Sequence, residues 1–246
     1  MADLAKISIQ PEEMVSFLKK NLQLREVYQK ILYQQVINQA TTERGITVTP
    51  EEIQAEADKL RLEQRLEKAS DTLAWLAEQM ITPDQWEEGI RDRLLSKKLA
   101  ESLFNKEVEK FFAQNKIYFE QVLLYQIILE DGKVAQELLY QIEEKEISFY
   151  EAAKFYDIDE NRRQNCGCAG FIERSKLKPD IAAAIFSGQL GEVVGPIKTE
   201  QGYHLLMVEK FIPAELTPKR YQEILDDMFQ QWLASELNYL LHSQAV

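Results

Sequence analysis

The chain has 246 residues, of which 45% are hydrophobic and 28% are charged, proportions typical of a folded globular protein. Its net charge of −12 argues against a surface that follows phosphate groups, so nucleic acid is not expected as a partner. A basic or unfolded polypeptide is the more natural partner for such a chain.

Membrane insertion is not expected either. No run approaches the roughly 18 consecutive apolar residues that a membrane-spanning helix requires. The start, MADLAKISIQPEE, lacks the basic region and the apolar core of a secretory signal. The sequence therefore predicts a cytoplasmic location.

Residues 11–118 are predicted to form successive helices. The segments TPEE at 49–52 and TPDQ at 82–85 each place a Thr N-cap before a Pro, with Glu or Gln three residues after the cap. A preceding helix with apolar residues at helical spacing is expected to end at Gly45. The long helix over 91–115 carries an apolar stripe, which either packs in a core or lines a groove for client segments.

The pattern changes at about residue 119. The short apolar run VLLYQIIL (122–129) predicts a buried strand before a turn. The following predicted elements are helices at 134–144, 149–156 and 179–186, and strands at 193–198 and 203–211. This order predicts a compact α+β unit. An amphipathic helix over 217–242 then needs a partner, and the N-terminal helices are expected to provide it.

Both cysteines of the chain lie in QNCGCAGF, residues 164–171. Cys166 and Cys168 are open to three interpretations: half of a metal site, a redox pair, or a tight turn that contains sulfur. A zinc site needs three or four protein ligands, and this pair with His204 supplies at most three. No metal and no cofactor are therefore expected, and a C-x-C redox or metal protein is kept as a third hypothesis, testable by metal analysis.

Residues 125–210 resemble the parvulin family of peptidyl-prolyl cis/trans isomerases, or rotamases. The strongest match is FSGQLGEVVGPIKTEQGYHLLMVEK (186–210), which is similar to the family's Phe, Gly-Glu turn, Gly-Pro-Val-x-Thr, Gly-Tyr-His and apolar strand. CGCAGF falls on the family's Gly-Gly-Asp-Leu-Gly-aromatic loop, with Cys168 replacing the aspartate. SKLKPDI (175–181) falls on Gly-Gln-Met-Val-Pro-x-Phe. The resemblance implies an antiparallel sheet surrounded by helices.

The resemblance also implies a catalytic site. Asp159 stands where the family has its central Asp or Cys, His204 where it has the second of two histidines, and Thr199 where a hydroxyl hydrogen-bonds that histidine. Gln126 replaces the first histidine, at a position from which its amide can hydrogen-bond His204. The floor that receives the proline ring is expected to consist of Leu177, Ile181 and Phe186. The other residues expected to bind substrate are Phe171, Ile172 and Cys168.

The helical part resembles the N-terminal chaperone domain of bacterial foldases of the SurA and PrsA kind, through ITVTPEEIQAEADKL and MITPDQWEEGIRDRLLSKKL. In such foldases a late helix packs back onto the N-terminal helices. The resemblance implies a helical domain over 1–119 with 213–246, and an inserted parvulin-like domain over 120–212.

The leading hypothesis is a foldase that isomerises X-Pro bonds in unfolded or proline-containing polypeptide clients. The alternative is a weakly active or inactive parvulin-like chaperone or adaptor that binds peptides, for example for an export system. The substitution of Gln126 and of Ile181, where the family has an aromatic residue, supports this alternative. The sequence does not indicate the oligomeric state or the client.

Overall fold

A computed structural model describes residues 9–243 of the chain. The chain divides into two compact units. One combines the residues up to Val108 with those from Pro218 onward, and the other is Glu109–Thr217. The second unit is thus inserted in sequence within the first. The predicted domain bounds also include residues 1–8 and 244–246, which lie outside the described residues.

The first unit is built from helices. They are α1 (Pro11–Lys20), α2 (Leu24–Glu43), α3 (Pro50–Glu63), α4 (Ala69–Glu78), α5 (Pro83–Asn115), whose last turns belong to the second unit, and α10 (Pro218–Ser243). The predicted helix starts are confirmed, because Thr49 and Glu52 form a capping box with N···O distances of 2.8 and 3.3 Å. Thr82 and Gln85 form the equivalent pair.

The C-terminal helix finds its expected partner within this unit. Helix α10 packs against α2, whose buried side chains include Val36, Ile37 and Ala40, while α10 buries Leu225 and Leu233. A second cluster joins α3 to α5 through the buried Ile53, Ala57 and Ile90. The two ends of the first unit are therefore held together by apolar packing across a long stretch of sequence.

The second unit combines helices with one antiparallel sheet. Its elements are β1 (Gln121–Leu129), α6 (Gly132–Glu143), α7 (Phe149–Tyr156), α8 (Glu160–Gln164), β2 (Cys168–Glu173), α9 (Pro179–Ser187), β3 (Val193–Thr199) and β4 (Gly202–Ile212), with 3₁₀ turns at Lys116–Phe119 and Arg174–Lys176. The strand order is β2-β1-β4-β3, and every neighbouring pair is antiparallel. This confirms the predicted fold class, an α+β parvulin-like domain inserted into an all-α domain.

Strand β2 is absent from the sequence prediction, which placed CGCAGF in a loop. In the structure only the first part of this segment is a loop, and Cys168–Glu173 pairs with β1 along one edge of the sheet. The register shifts opposite Leu124 and Tyr125, so Ala169 has no partner. The bulge and the partly buried positions of β2 remove the apolar alternation by which a strand is recognised.

The two faces of the sheet carry different cores. One face packs against α6 and α7 and contains the buried Ile127, Leu205 and Met207. The other face packs against α9 and contains the buried residues Val122, Leu124, Leu206, Val208 and Ile185. Because side chains alternate along a strand, Gln126 and His204 lie on the same face as the second group. The candidate site is therefore on the α9 side of the sheet.

Within residues 9–243, no helix is long and apolar enough to cross a membrane.

Candidate active site

His204 is the most buried polar group of the expected site, with 3% of its surface exposed. It lies on β4, opposite Ile128 of β1 and Ile197 of β3. Its Nε2 is 2.7 Å from Thr199 Oγ1, as the resemblance implied. Thr199 Oγ1 already accepts a hydrogen bond from the backbone N–H of Gln201 at 3.1 Å. The hydroxyl hydrogen of Thr199 is thus free to donate to Nε2, an arrangement that corresponds to the tautomer with its ring proton on Nδ1.

The Nδ1 atom of His204 is buried and has no hydrogen-bond partner. Gln126 lies on the same face of the sheet but does not bond this atom, so the hydrogen bond expected between Gln126 and His204 is not formed. The backbone N–H of Gln126 instead donates to the carbonyl of Gly167 at 2.8 Å. An unpartnered buried polar atom is costly.

Burial is the main cause that lowers the pKa of His204 below its usual value near 6.5. The positive charges of Arg162 and Lys178 lower it further, whereas the negative charge of Asp157 acts in the opposite direction. The imidazole is therefore neutral at neutral pH and can act as a fixed dipole with one N–H donor.

Asp159 is the N-cap of the short helix α8, where its carboxylate accepts the backbone N–H of Arg162 at 2.9 Å. This hydrogen bond is the main cause that holds the pKa of Asp159 below its usual range. Its side chain is 42% exposed. The structure thus gives Asp159 a clear local role as a helix cap and leaves its carboxylate ionised and accessible to solvent.

Asp157, which the sequence analysis missed, anchors this loop. Its side chain is fully buried and forms a two-pronged pair with Arg162, at 3.0 Å from Nε and 2.9 Å from Nη2. The same carboxylate accepts the backbone N–H groups of Ile128 at 3.3 Å and of Asp159 at 2.8 Å. Since Ile128 is the residue opposite His204, Asp157 ties the Asp159 loop to the strand position beside the histidine.

Four of the six residues expected to bind substrate lie together on the α9 side of the sheet. Leu177, Ile181, Phe186 and Ile172 all pack partly buried against the core that contains Leu206 and Val208. The guanidinium of Arg174 lies 4.4 Å from the ring centre of Phe186, and it also forms an ion pair with Glu120 at 3.2 Å. The cluster is therefore an apolar surface with a basic group at its edge.

The other two expected substrate contacts lie elsewhere. Phe171 pairs with Leu123 and is 63% exposed. Cys168 pairs with Tyr125, where burial, a hydrogen bond to Glu209 and contact with Cys168 raise the pKa of the tyrosine hydroxyl. The bulge at Ala169 directs Cys168 towards this tyrosine, away from the cluster, and no sequence signal located the bulge in advance.

The two cysteines, Cys166 and Cys168, are both free thiols and partly buried. Within residues 9–243, no three His, Cys, Asp or Glu side chains are grouped as a metal ion would require. The structure offers most support for the third interpretation of this segment, a tight turn, since Cys166 and Gly167 both have positive φ angles, of 50° and 86°.

The fold and the site define a parvulin-type domain. Residues 130–210 match the family model described as the PPIC-type PPIase domain, or rotamase. The match includes Asp159, Thr199 and His204 and the α9 cluster. The parvulin resemblance found in the sequence is therefore confirmed.

Over most of its length, the chain is similar to bacterial proteins named as foldases. The chain is 28% identical to the foldase protein PrsA of Caldanaerobacter subterraneus subsp. tengcongensis over 228 residues, which are 90% of this chain and 65% of the relative. It is 26% identical to the foldase protein PrsA of Halalkalibacterium halodurans over 208 residues, covering 81% of this chain and 61% of that one. The chain thus spans less than two thirds of the length of these two relatives.

The solved structure of the PrsA peptidylprolyl isomerase from Bacillus cereus has the same fold. The two structures superpose with a TM-score of 0.52 and 16% sequence identity, covering 97% of this chain and 89% of the other. The parvulin domain is therefore set within a PrsA-like helical architecture, as the resemblance to foldases implied.

Proposed function

We propose that the chain is a peptidyl-prolyl cis/trans isomerase that helps unfolded or extended polypeptides to fold. The observation that carries this proposal is the shared face of the sheet, on which a neutral, buried His204 bound to Thr199 lies on the same side as the apolar cluster of Leu177, Ile181 and Phe186. The names of the relatives support the same activity.

The arrangement suits a reaction that needs no nucleophile and no metal. Rotation about an X-Pro bond must break amide resonance, with a barrier of about 18 to 20 kcal/mol. An apolar surface that holds the proline ring removes water from the amide and with it the hydrogen bonds that favour the planar form. The ring is proposed to rest on Leu177, Ile181 and Phe186, with Ile172 extending the surface.

The polar residues then act on the twisted amide. The neutral imidazole of His204 is proposed to act on the client amide as a fixed dipole, since its Nδ1 is closed to solvent. Asp159 is proposed to contribute a negative charge from the loop that Asp157 ties to β1, and Thr199 fixes the orientation of the imidazole. A dipole that is matched to the twisted amide better than to the planar one lowers the barrier.

A refolding assay limited by proline isomerisation tests this function. The wild-type chain is expected to accelerate refolding, and His204→Ala is expected to lose most of that acceleration. His242→Ala changes the other histidine of the chain, which is exposed near the end of α10, and provides a matched control with wild-type activity. No acceleration by the wild-type chain would exclude the isomerase function.

A second candidate function is a peptide-binding chaperone or adaptor with little turnover. Gln126 in place of the first family histidine, and the absence of a hydrogen bond from Gln126 to His204 Nδ1, favour it. A light-scattering assay of client aggregation separates the two functions, since a pure binder suppresses aggregation equally well as wild type and as His204→Ala. The variant Gln126→His is expected to raise the isomerisation rate if catalysis is weak only because this group is missing.

The cytoplasmic location expected from the sequence stays a prediction. Cell fractionation with marker proteins for each compartment tests it. Clients are proposed to be unfolded or proline-containing polypeptides, without a named partner.

A further inference from the structure

A groove in the first unit is lined by residues that the proposed isomerase site does not use. It has a volume of about 540 Å³, within the range of ligand-binding pockets. Trp75 of α4 and Trp86 of α5 meet edge to face in its wall, with ring centres 6.3 Å apart and an angle of 69° between the rings. The aliphatic lining residues are Leu60, Leu66 and Ile81. The groove therefore presents flat aromatic and aliphatic surface to an occupant.

Gly89 keeps the groove open along α5. A glycine inside a helix costs about 1 kcal/mol relative to alanine, and Gly89 lies within the 33 residues of α5. A Cβ added at this position meets nothing within 4 Å, so packing inside the protein does not require the glycine. Its effect is to leave space between Trp86 and Arg93, one helical turn to either side.

The polar lining consists of three glutamine amides, which can both donate and accept hydrogen bonds, and one arginine. Gln64, Gln79 and Gln85 line the groove, and the carbonyl oxygen of Gln85 is already used by the backbone N–H of Thr82, which leaves its amide N–H groups as donors. Of the described residues that line the groove, Arg93 is the only charged one. The lining thus suits an occupant whose backbone carbonyls are free to accept from the glutamine amides and whose charge is neutral or negative.

These features together select one type of occupant. A helix or a strand uses its carbonyls in its own hydrogen bonds, and the described part of this unit has no strand edge to pair with. A polyproline II segment has no internal hydrogen bonds, so its carbonyls stay free to accept from side-chain amides. Its proline rings pack on aromatic side chains, as in other aromatic-lined grooves that bind such segments.

We propose that the groove lined by Trp75 and Trp86 is a second peptide site, which binds proline-bearing segments in the polyproline II conformation with an acidic residue near Arg93. This site goes beyond the proposed isomerase function, because it holds a proline segment without acting on its peptide bonds.

Intrinsic fluorescence gives a selective test. The three tryptophans of the chain are Trp75, Trp86 and Trp232, all in the first unit, so the isomerase site contributes no tryptophan signal. In a Trp232→Phe background, a short polyproline peptide carrying one glutamate is expected to give a saturable change in fluorescence. The same peptide with alanine in place of proline is expected to give no saturable change.

Two substitutions at Gly89 distinguish a blocked groove from an unfolded helical unit. Gly89→Leu places a side chain in the open space and is expected to weaken binding about tenfold or more, which corresponds to about 1.4 kcal/mol. Gly89→Ala adds only a methyl group and is expected to bind within about twofold of the parent, since both substitutions favour the helix. Arg93→Gln is expected to abolish the preference for the glutamate-bearing peptide over its neutral form.

The proposal is wrong if Gly89→Leu binds like Gly89→Ala, if the alanine peptide binds as well as the proline peptide, or if no saturable change occurs. The isomerisation rate on a short X-Pro peptide is measured in parallel and is expected to be unchanged by Gly89→Leu. Groove binding without isomerisation would contradict only the proposed catalytic function, and isomerisation without groove binding would contradict only the second site.

Discussion

Asp157 and Asp159 are two residues apart and have opposite environments. Asp157 is 1% exposed and holds Arg162, Ile128 and Asp159 through its carboxylate, whereas Asp159 is largely solvated and caps α8. The sequence resemblance selects Asp159 because that position matches the family. The tertiary structure adds Asp157 as the residue that positions it.

Replacing Asp157 by alanine is expected to lower the free energy of unfolding by about 2 to 4 kcal/mol. The change leaves the Arg162 guanidinium and two backbone N–H groups without their buried acceptor. Urea unfolding measures the loss. Glu160→Ala, at an exposed neighbouring position, is the control and is expected to cost less than about 0.5 kcal/mol. An equal effect of both substitutions would show that the buried pair has no structural role.

The pH dependence of activity follows from the lowered pKa of His204. Because the folded-state pKa lies below the usual histidine value of about 6.5, any fall in the isomerisation rate on acidification is expected to be centred below pH 6.5. A pH profile of kcat/KM on a short X-Pro peptide tests this. A fall in rate centred at or above pH 6.5 would contradict it, and His242→Ala should leave the profile unchanged.

The same shift has a consequence for stability. An unfolded chain binds a proton at His204 more readily than the folded chain does. The contribution of His204 to the free energy of unfolding is therefore complete above the unfolded-state pKa of about 6.5. It is lost as the pH falls towards the lower folded-state pKa. His204→Gln is expected to reduce the slope of unfolding free energy against pH just below 6.5, measured by urea unfolding at several pH values.

At the level of elements, the turn before β2 and the bulged part of β2 each contain a glycine, and the two glycines are needed for different reasons. Gly167 and Gly170 both have φ angles of 86°, a region that favours glycine. A Cβ on Gly167 would meet Ala153 Cβ at 2.9 Å and Gln126 O at 3.0 Å, whereas a Cβ on Gly170 meets nothing within 4 Å. The first position therefore combines backbone strain with a steric clash, and the second has backbone strain alone.

The pair gives a matched prediction. Gly170→Ala is expected to cost about 1 kcal/mol of unfolding free energy for the unfavourable φ. Gly167→Ala is expected to cost about 2 to 3 kcal/mol, because the clash with β1 and α7 adds to the strain. Thermal or urea unfolding of the two variants measures the difference. Equal losses would mean that the chain relaxes around Gly167 without cost.

Elements with local signals were predictable, and those without them were not. The capping box at Thr49 and Glu52 is a short-range pattern, so the start of α3 was located to the residue. Strand β2 is fixed by its pairing with β1, which is distant in sequence. Helix α8 has five residues, which are too few to show a periodicity.

At the scale of the whole molecule, the inserted unit has its own core on both faces of its sheet. An isolated fragment of residues 116–217 is therefore expected to fold and to unfold cooperatively. Near-ultraviolet circular dichroism and urea unfolding measure this. A fragment that binds hydrophobic dyes and unfolds without a sharp transition would show that its core depends on the rest of the chain.

The first unit is expected to behave differently when it is shortened. Truncation before Pro218 removes α10 and exposes the apolar face of α2 that contains Val36, Ile37 and Ala40. The remaining helices are expected to lose cooperative unfolding, seen as a broad thermal transition by far-ultraviolet circular dichroism, because helices of this length need tertiary packing. A sharp transition at the original temperature would contradict this role of α10.

The sequence by itself determined the class of fold, the starts of the capped helices, the pairing of His204 with Thr199 and the apolar residues of α9. Each of these depends on short motifs or on periodicity, which are local properties of the chain. Only the tertiary structure decided the position of Cys168 beside Tyr125, the anchoring of the loop by Asp157, the unpartnered Nδ1 of His204 and the groove lined by Trp75 and Trp86. Each of these results from contacts between elements, where strand register and helix packing, rather than residue type alone, select the neighbours.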